Sequence, residues 1–511
     1  MGKLTVQLGG AALLIWAGLT LAPGWPAWLS LPLTVFWIVG ITNAVNLLDN
    51  MDGLAAGISG IAALTIAVIG WQNGQPELVA GSMVLAAAAG GFLVYNFYPA
   101  RTFMGDCGSL FLGFSLAGLA LTISSPGMGP GVGALPLVPA AVMAVPILDT
   151  TLVTVKRMFV GRSIAEGGRD HASHRLVALG LSDRSAVLTL YGLAAAFGVG
   201  AVAIHLLEVA FAVSVAVFAG LGLSVFGAFL STVRVYDPRT EELGRARGQG
   251  IGFEERPLIR FLLQHRRTIV GTGVDALIVL ASLLAAFHLY NATLPQGTSV
   301  AMVQALQVAV VVKLLVFHGL GLYRGLWWYA GSPEIARTLV GSAAASMAAV
   351  AAFVLALPGI DFPRSVLALD WVLTSIGLVG VRFGFRWIRG LFEAIVPHEI
   401  ARRVLVYGAG SRGVTAVRTM RHQRFEAIPV GFLDDDPEKV GRRLLGLPIL
   451  GRGCQAASVA REWGVSDILV ALPAEEASKL EGLGPALSEQ GITLHQMYIS
   501  LGTLDCRTED A

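Results

Sequence analysis

Long apolar stretches separated by short polar loops dominate most of the chain. A membrane-spanning helix needs about 20 mostly apolar residues, and the pattern predicts twelve such helices. Lys and Arg concentrate in alternate loops, near residues 101, 154–185, 232–267 and 324, and this bias predicts that those loops are cytoplasmic. The predicted spans lie at about residues 4–22, 30–47, 54–71, 78–95, 109–124, 135–153, 186–206, 209–231, 268–290, 300–322, 335–357 and 366–387.

From about residue 400 the pattern changes to short apolar runs that alternate with amphipathic segments. Alternating strands and helices predict a parallel, doubly wound sheet. The expected strands lie near 402–407, 428–433, 467–472 and 492–499, and the expected helices near 413–422, 454–463 and 476–489. The predicted fold is therefore an α-helical polytopic membrane protein, with about 12 transmembrane helices and a C-terminal cytoplasmic α/β domain of the Rossmann-like type.

Changes in composition along the chain predict its domains. A polar, Arg-rich segment at 236–267 reads as a cytoplasmic linker between a transmembrane module of about eight helices and a four-helix transmembrane module. The predicted domains are 1–235, 268–390 and, for the nucleotide-binding part, 400–500.

Composition supports a membrane location. Hydrophobic residues make up 55% of the 511 residues and charged residues only 14%, whereas soluble domains carry about 25% charged residues. The net charge of +2 carries little information, and we expect no nucleic-acid partner. The three cysteines have no metal-binding spacing, so we expect free thiols.

Four polar side chains recur at every third position where one predicted span ends and the next begins. Charged groups at such a position are costly in hydrocarbon and usually functional. The alternative is a helix cap followed by a solvated turn, but a cap needs only one such residue. The four residues are Asn43, Asn46, Asp49 and Asp52.

Two further groups of polar residues lie on the same predicted side of the membrane. Asp106 stands between Gly105 and Gly108, which leaves room for a bulky anion with its metal but also suits an ordinary turn. In the long 154–185 loop, two imidazoles and two guanidinium groups fall within seven residues, a set that suits a diphosphate. A solvated basic loop is the alternative for this set, which comprises Arg169, His171, His174 and Arg175.

These motifs resemble those of the polyprenyl-phosphate N-acetylhexosamine-1-phosphate transferases, the MraY/WecA-like membrane enzymes of glycosyltransferase family 4. The resemblance covers about residues 1–235. It implies transfer of a sugar 1-phosphate from a UDP-sugar to a polyprenyl (undecaprenyl) phosphate, with release of UMP, at the start of cell-envelope polysaccharide synthesis. It also implies a multi-pass protein of the bacterial inner membrane with a cytoplasmic active site.

The resemblance also assigns roles to individual residues. It implies Mg²⁺ at Asp106, and it leaves Asp149 without a firm role. A homodimer and other polysaccharide-biosynthesis enzymes are the further partners it suggests. The implied catalytic residues are Asp49, Asp52, Asp106, His171 and His174, and the implied substrate-binding residues are Lys3, Asn43, Asn46, Arg169 and Arg175.

The chain also departs from the family. Family members carry an additional acidic pair on an upstream cytoplasmic loop, whereas no Asp or Glu precedes Asp49 in this sequence. Lys3 matches a family lysine that follows that pair. We therefore expect little transferase activity from the chain as it begins at Met1, and a catalytically inactive scaffold that binds nucleotide sugar is the rival hypothesis.

The second half resembles the N-terminal membrane and nucleotide-binding part of CapD-like nucleotide-sugar epimerases/dehydratases. The matching pieces are 319–330, 408–413 and 430–437. None of the nine tyrosines has a Lys four residues later, so dehydration or epimerisation is not expected. A glycine-rich turn between a strand and a helix suits phosphate, and it predicts NAD or another nucleotide at Gly408, Gly410, Gly413 and Asp434, against a Rossmann-like fold that binds nothing.

Two charged residues lie inside predicted spans. Asp275 lies about 10 Å and Lys313 about 13 Å from the cytoplasmic ends of neighbouring antiparallel helices. Matching depths in helices joined by a short loop predict an ion pair between them, with snorkelling of Lys313 to the interface as the alternative.

Overall fold

The chain folds into two compact units, Met1–Val396 and Pro397–Ala511. The fold is seen in a computed structural model. It describes residues 2–123, 136–160, 168–233, 235, 257–290, 299–323, 332–356, 363–395, 402–422, 427–472, 487 and 491–496.

The described part of the first unit is helical. Its helices are α1 Gly2–Trp16, α2 Ala27–Leu48, α3 Leu54–Gln72, α4 Pro76–Asn96, α5 Gly105–Thr122, α6 Leu137–Val142, α7 Ala144–Val160, α8 Ala172–Ala178, α9 Asp183–Leu206, α10 Val209–Ser231, α11 Pro257–Tyr290, α12 Ser299–Gly319, α13 Ser332–Ala356 and α14 Arg364–Ile395.

Within the described residues, nine helices are long and apolar enough to cross a membrane. The polytopic helical fold is confirmed, and the total of twelve spans stays a prediction. Two predicted spans differ: α1 has only 15 residues, and 135–153 is divided between α6 and α7. The division is explained by Pro146, which has no N–H to donate to the carbonyl of Val142.

Close packing of α2 against α5 depends on a glycine. A Cβ at Gly113 would lie 2.8 Å from both the Cα and the carbonyl oxygen of Thr42. Since these are backbone atoms, no side-chain rotation could relieve the contact. The absence of a side chain at residue 113 therefore allows α5 to approach the backbone of α2 closely at Thr42.

Helix α10 lies between two groups of helices. At one end, Phe229 and Leu230 belong to an apolar cluster with residues of α3, α8 and α9. Further along, Leu221 belongs to a second cluster with residues of α11 to α14. The eighth predicted span thus packs on both predicted membrane modules, and the boundary predicted at residue 235 stays a prediction.

The predicted ion pair between Asp275 and Lys313 is wrong. Lys313 is fully buried and its Nζ lies 2.5 Å from Oδ2 of Asp370, whereas Asp275 Oδ2 lies 2.7 Å from Nη2 of Arg382. Both new partners belong to α14. Equal depth in two helices gives the position of each side chain along the helix axis, but it does not tell which neighbouring helix the side chain faces. Both Asp275 and Lys313 face α14.

The second unit contains a six-stranded sheet in the order β3-β4-β2-β1-β5-β6. All pairings in it are parallel except that of β3 with β4. The predicted C-terminal α/β domain is confirmed, while its Rossmann-like type and the helix near 476–489, which lies outside the described residues except Leu487, stay predictions. The elements are β1 Arg402–Tyr407, α15 Ser411–His422, β2 Ala427–Leu433, β3 Arg443–Leu444, β4 Leu447–Gly451, α16 Ala456–Trp463, β5 Asp467–Val470 and β6 Thr493–Gln496.

Candidate active site

The turn between α2 and α3 carries several of the predicted site residues and is tightly held. Asn50 donates from Nδ2 to the carbonyl of Leu47 at 2.6 Å, which caps the end of α2. Gly53 begins the next helix with φ +76, a conformation that favours glycine. Its N–H donates to Asn96 Oδ1 at 3.0 Å, and its carbonyl accepts from the hydroxyl of Tyr191 at 2.5 Å. The turn is thereby fixed to both α4 and α9.

Asp52 anchors this turn to the loop before α5. Its Oδ2 accepts a hydrogen bond from the backbone N–H of Ala100 at 2.9 Å. The same loop is held a second time, because Asn96 donates from Nδ2 to the carbonyl of Thr102 at 2.9 Å. The predicted catalytic role of Asp52 is untested, and this geometry gives it at least a part in positioning the loop that leads to Asp106.

Asp106 lies in the first turn of α5 and meets residues from two other helices. Asn46 of α2 donates from Nδ2 to Asp106 Oδ1 at 2.9 Å and to Ser109 Oγ at 2.8 Å. Lys3 of α1 forms an ion pair with the other carboxylate oxygen of Asp106, and both side chains are about 60% exposed. The structure therefore brings together three predicted residues that are far apart in the sequence.

Asp49 lies near enough to Asp106 for their charges to interact. Burial raises the pKa of Asp49, and the negative charge of Asp106 raises it further, against the opposing effect of a hydrogen bond from the backbone of Gly105. Two carboxylates that repel each other at the end of a helix are a typical feature of functional sites. Asp49 is consequently the carboxyl group of this pair that holds a proton more readily.

Asn43 lies one turn deeper in α2, away from these carboxylates. It exchanges hydrogen bonds with Gln7 of α1, at 3.2 and 3.0 Å, and donates to the carbonyl of Val39 at 2.7 Å. Its predicted contact with substrate stays a prediction, and in this geometry it joins α1 to α2. Sequence reasoning overlooked Gln7, a polar residue on an otherwise apolar helix.

The residues around Asp106 suit the Mg²⁺ ion that the resemblance implies. Among the described residues, no three His, Cys, Asp or Glu side chains are grouped as a metal site. Mg²⁺ nevertheless needs only one or two protein carboxylates when substrate phosphates and water complete its shell. Asp106 is exposed, its neighbour Asp49 is repelled by it, and the ammonium group of Lys3 already lies against it. A cation at this carboxylate is therefore compatible with its surroundings.

A second group forms around His171. Its Nδ1 lies 2.7 Å from Oδ2 of Asp149, and the other oxygen of Asp149 accepts from the N–H of Ala172 at 2.6 Å. Both His171 and Asp149 are buried. Asp149, for which we predicted no firm role, is thus the residue that orients the imidazole, and its position at the edge of a predicted span was the signal available for it.

His174 is half-buried beside this pair. Burial lowers its pKa, and the charges of His171 and Arg169 lower it further. Neutral imidazole can accept a proton near neutral pH, so the arrangement keeps His174 available for proton transfer. Arg169 is exposed next to the group, as its predicted role in anion binding requires.

The predicted substrate-binding role of Arg175 needs a correction. It is fully buried, and its guanidinium donates to the backbone carbonyls of Asp170, Leu230 and Val233 at 2.8, 3.2 and 2.8 Å. An arginine in this position braces the loop against the end of α10 and does not face a diphosphate. The sequence could not separate these roles, because both place a guanidinium among polar neighbours.

The loop has a second internal brace. Arg157 of α7 donates from Nε and Nη2 to the two oxygens of Asp170, at 2.8 and 2.6 Å. Burial by itself would raise the pKa of Asp170, but the hydrogen bonds and charge of Arg157 outweigh it and hold that pKa below its ordinary value. The residue just before His171 is therefore fixed as an anion.

One hydrogen bond joins the two groups. Ser173 donates from Oγ to Oδ1 of Asn50 at 2.7 Å, which links the His171 loop to the turn that carries Asp49. The predicted residues thus form two neighbouring groups, one around Asp106 and one around His171. Neither Asn50 nor Ser173 was given a role from the sequence, although both lie within the predicted motifs.

The glycine-rich turn of the second unit has the expected strand–turn–helix context. A Cβ at Gly413 would lie 1.9 Å from the carbonyl oxygen of Gly408, so glycine is required for α15 to begin this close to β1. Gly408 has φ +110, whereas a Cβ at Gly410 would meet nothing within 4 Å. The turn is open at Gly410, as the predicted approach of a phosphate requires.

Asp434 is already engaged at this turn. Its Oδ2 accepts from the N–H of Ala409 at 2.8 Å, and its Oδ1 accepts from the N–H of Asp436 at 3.0 Å. Lys439 forms an ion pair with it at 3.1 Å. Burial alone would raise its pKa, but these hydrogen bonds and the Lys439 charge hold that pKa below its ordinary value. A ribose contact of Asp434 would have to replace some of these bonds, and it stays a prediction.

With this geometry established, comparison with known proteins becomes informative. The model of glycosyl transferase family 4 matches residues 2–124, which include Lys3, Asn46, Asp49 and Asp106. This region is therefore similar to glycosyl transferase family 4. A second model, of a CoA-binding domain, matches residues 318–495, consistent with the expected CapD-like second half.

Curated relatives agree with the first match. The chain is 41% identical over 210 residues to a probable undecaprenyl-phosphate N-acetylglucosaminyl 1-phosphate transferase of Bacillus subtilis, covering 39% of this chain and 58% of that protein. It is 39% identical over 180 residues to a decaprenyl-phosphate N-acetylglucosaminephosphotransferase of Mycolicibacterium smegmatis, covering 32% and 44%. A phospho-N-acetylmuramoyl-pentapeptide-transferase of a Synechococcus species is 46% identical over 126 residues, covering 23% and 35%.

The extent of these matches limits what they show. The chain spans 58% or less of the length of these three relatives. Among solved structures, the UDP-D-quinovosamine 4-dehydrogenase of Vibrio fischeri is 26% identical, covering 19% of this chain and 79% of that one, with a TM-score of 0.18, which supports no conclusion about the fold. The apolar helices and the bacterial relatives together indicate a bacterial membrane protein.

Proposed function

We propose that the protein transfers an N-acetylhexosamine 1-phosphate from a UDP-sugar to a polyprenyl phosphate and releases UMP. The observation that carries this proposal is the contact of Asp106 with Lys3 and Asn46 at one exposed helix end in the region that the family 4 model matches, with Asp49 close enough for its charge to interact with that of Asp106. The names of the relatives support the same reaction class. The active site then faces the cytoplasm, where UDP-sugars occur.

In the proposed reaction, an oxygen of the lipid phosphate attacks the β-phosphorus of the UDP-sugar. The new phosphorus–oxygen bond forms as the bond to the α-phosphate breaks, and UMP leaves with the electron pair of that bond. Two anions must approach each other, so the site has to offset their repulsion. Mg²⁺ held by Asp106 would supply positive charge there when bound.

Side chains of the protein supply the other contributions to the proposed reaction. Lys3 and Arg169 contribute positive charge at an exposed surface, and Asn46 orients the carboxylate of Asp106. The raised pKa of Asp49 suits it to hold a proton between phosphate oxygens. His171 is oriented by Asp149 through Nδ1, and its other ring nitrogen would bind the diphosphate if the substrate reaches this buried group.

The test is UMP release from UDP-N-acetylglucosamine and undecaprenyl phosphate by the full-length protein in membranes. Asp106→Asn should lower Mg²⁺-dependent turnover by at least about a hundredfold, the usual cost of removing a group that stabilises transition-state charge. Cys107→Ala is the matched control, since Cys107 is the exposed neighbour in the same helical turn.

Two outcomes would count against this function. Equal turnover by the Asp106→Asn variant would remove Asp106 from the site. Inserted wild-type protein that binds UDP-N-acetylglucosamine without releasing UMP would favour the rival scaffold hypothesis.

We propose a second function for the C-terminal unit, the binding of a nucleotide such as NAD, a UDP-sugar or coenzyme A. The CoA-binding domain match and the open turn at Gly410 support it. Calorimetric titration of the full-length protein with each of these ligands tests it, and no binding of any of them would leave a docking role.

A further inference from the structure

Helix α14 extends well past the part that could cross a membrane. Its apolar segment is Arg364–Gly384, yet the helix continues to Ile395. In this extension, Ile388 and Phe392 stand four residues apart and so share one face. Both pack against the apolar cluster that lies beneath the candidate site, whereas Leu391 on another face is 61% exposed.

Phe392 meets α10 through aromatic contacts. Its ring lies 5.6 Å from that of Phe229 and 6.4 Å from that of Phe226, with interplanar angles of 21° and 25°. Offset aromatic pairs at such distances are attractive beyond their burial. Helices α10 and α14 also lie close together about two turns before Phe392, where a Cβ at Gly384 would lie 3.2 Å from Val225.

The end of α10 in turn holds the His171 loop. Arg175 donates to the carbonyl of Leu230, the residue after Phe229, and to that of Val233. The same guanidinium donates to the carbonyl of Asp170, which directly precedes His171. Any shift of the α10 end therefore moves two of the three acceptors of a fully buried arginine relative to the third, the carbonyl of Asp170.

We propose that Phe392 is a positioning residue for His171, so that the C-terminal extension of α14, the last helix of the second predicted membrane module, supports the candidate transferase site. This inference rests on the proposed function for its effect on turnover. The series runs from Phe392 to Phe229 by an aromatic contact and from Phe229 to Leu230 along the chain. Hydrogen bonds of Arg175 then join the carbonyl of Leu230 to that of Asp170 in the loop. Such a continuous series of contacts is a physical route for coupling, which a measurement has to test.

The test compares Phe392→Ala, Phe392→Leu and Leu391→Ala in the full-length protein. The first measurement is hydrogen exchange of the backbone amides in residues 168–180. Removing the ring should increase exchange there about tenfold or more, because the loop opens locally without global unfolding. Phe392→Leu keeps most of the apolar volume and should give an intermediate increase, and Leu391→Ala should match the wild type.

The second measurement is turnover in the UMP-release assay. Loss of positioning should lower kcat at least about tenfold while KM for the UDP-sugar changes less than about twofold, since His171 is displaced and not removed. Imidazole geometry also sets proton transfer, so the pH profile of kcat should shift in Phe392→Ala and stay unchanged in Leu391→Ala.

The two measurements separate the two proposals. If the wild type releases no UMP, the proposed function fails, while the exchange data still decide whether Phe392 holds the loop. If Phe392→Ala does not insert, Phe392→Leu carries the test alone. Wild-type exchange in a folded Phe392 variant, or an equal increase in Leu391→Ala, overturns the inference.

Discussion

Gly113→Ala is the most discriminating single substitution for the candidate site. The added methyl group would lie 2.8 Å from the Cα and carbonyl oxygen of Thr42 and 3.1 Å from Cβ of Val45. Ordinary contacts between carbon atoms are about 3.5–4.0 Å. Because two of the three atoms belong to the backbone of α2, the helices themselves must separate, by about 1 Å.

The site lies on the same helix face as this contact. Asp106 precedes Gly113 by seven residues, close to two full turns, which is about 10 Å along α5. Separation of the helices would lengthen the 2.9 Å hydrogen bond from Asn46 to Asp106. A displacement of about 1 Å in a reacting group can cost about a hundredfold in rate, whereas overpacking of a core costs about 1–3 kcal/mol of stability.

The expected result is a large loss of turnover in a protein that still folds. UMP release per inserted molecule should fall about a hundredfold. Gly118→Ala is the control on the same helix, because its Cβ would meet only Leu14, at an ordinary 3.6 Å. Wild-type turnover by Gly113→Ala, or an equal loss in Gly118→Ala, would show that the spacing between α2 and α5 does not position the site.

Three further experiments test other parts of the structure. Burial raises the pKa of Asp49, so the folded protein loses stability as pH rises from the ordinary value of 3.8 through the raised pKa. Asp49→Asn removes this titration. It should therefore raise the melting temperature at neutral pH and leave it unchanged below pH 3.8. Lys313→Met should cost about 3–5 kcal/mol of stability, and adding Asp370→Leu should recover most of it, because the single change strands a buried charge; equal melting temperatures would contradict this. Gly413→Ala should abolish nucleotide binding in calorimetric titrations, since its Cβ would lie 1.9 Å from the Gly408 carbonyl oxygen.

The sequence predicted the group around Asp106 well. Asn46 lies near the end of α2 and Asp106 at the start of α5. Since two spans lie between them, the order of the spans predicted that both residues are at the same membrane surface, and the structure shows them in contact. The parallel strands of the second unit were predictable because each is a short apolar run beside a turn. Both results follow from patterns that are local in the sequence.

The predictions for Arg175 and Asp149 depended on information that a local pattern does not contain. A basic loop with two histidines suits an anion, but whether each guanidinium faces solvent depends on the backbone packed against it. For Arg175 that backbone is the end of α10, more than fifty residues away in sequence. Asp149 became an orienting group only because the loop folds back onto α7.

The wrong pairing of Asp275 with Lys313 leads to a final point about α14. Both residues pair with this helix, at Arg382 and Asp370, and the two partners lie twelve residues or about 18 Å apart along it. A slip of α14 by one turn, about 5.4 Å, would strand four buried charges at once. The two ion pairs therefore fix the height of α14 against α11 and α12, and because the same helix continues to Phe392, they also fix the height at which that ring meets α10.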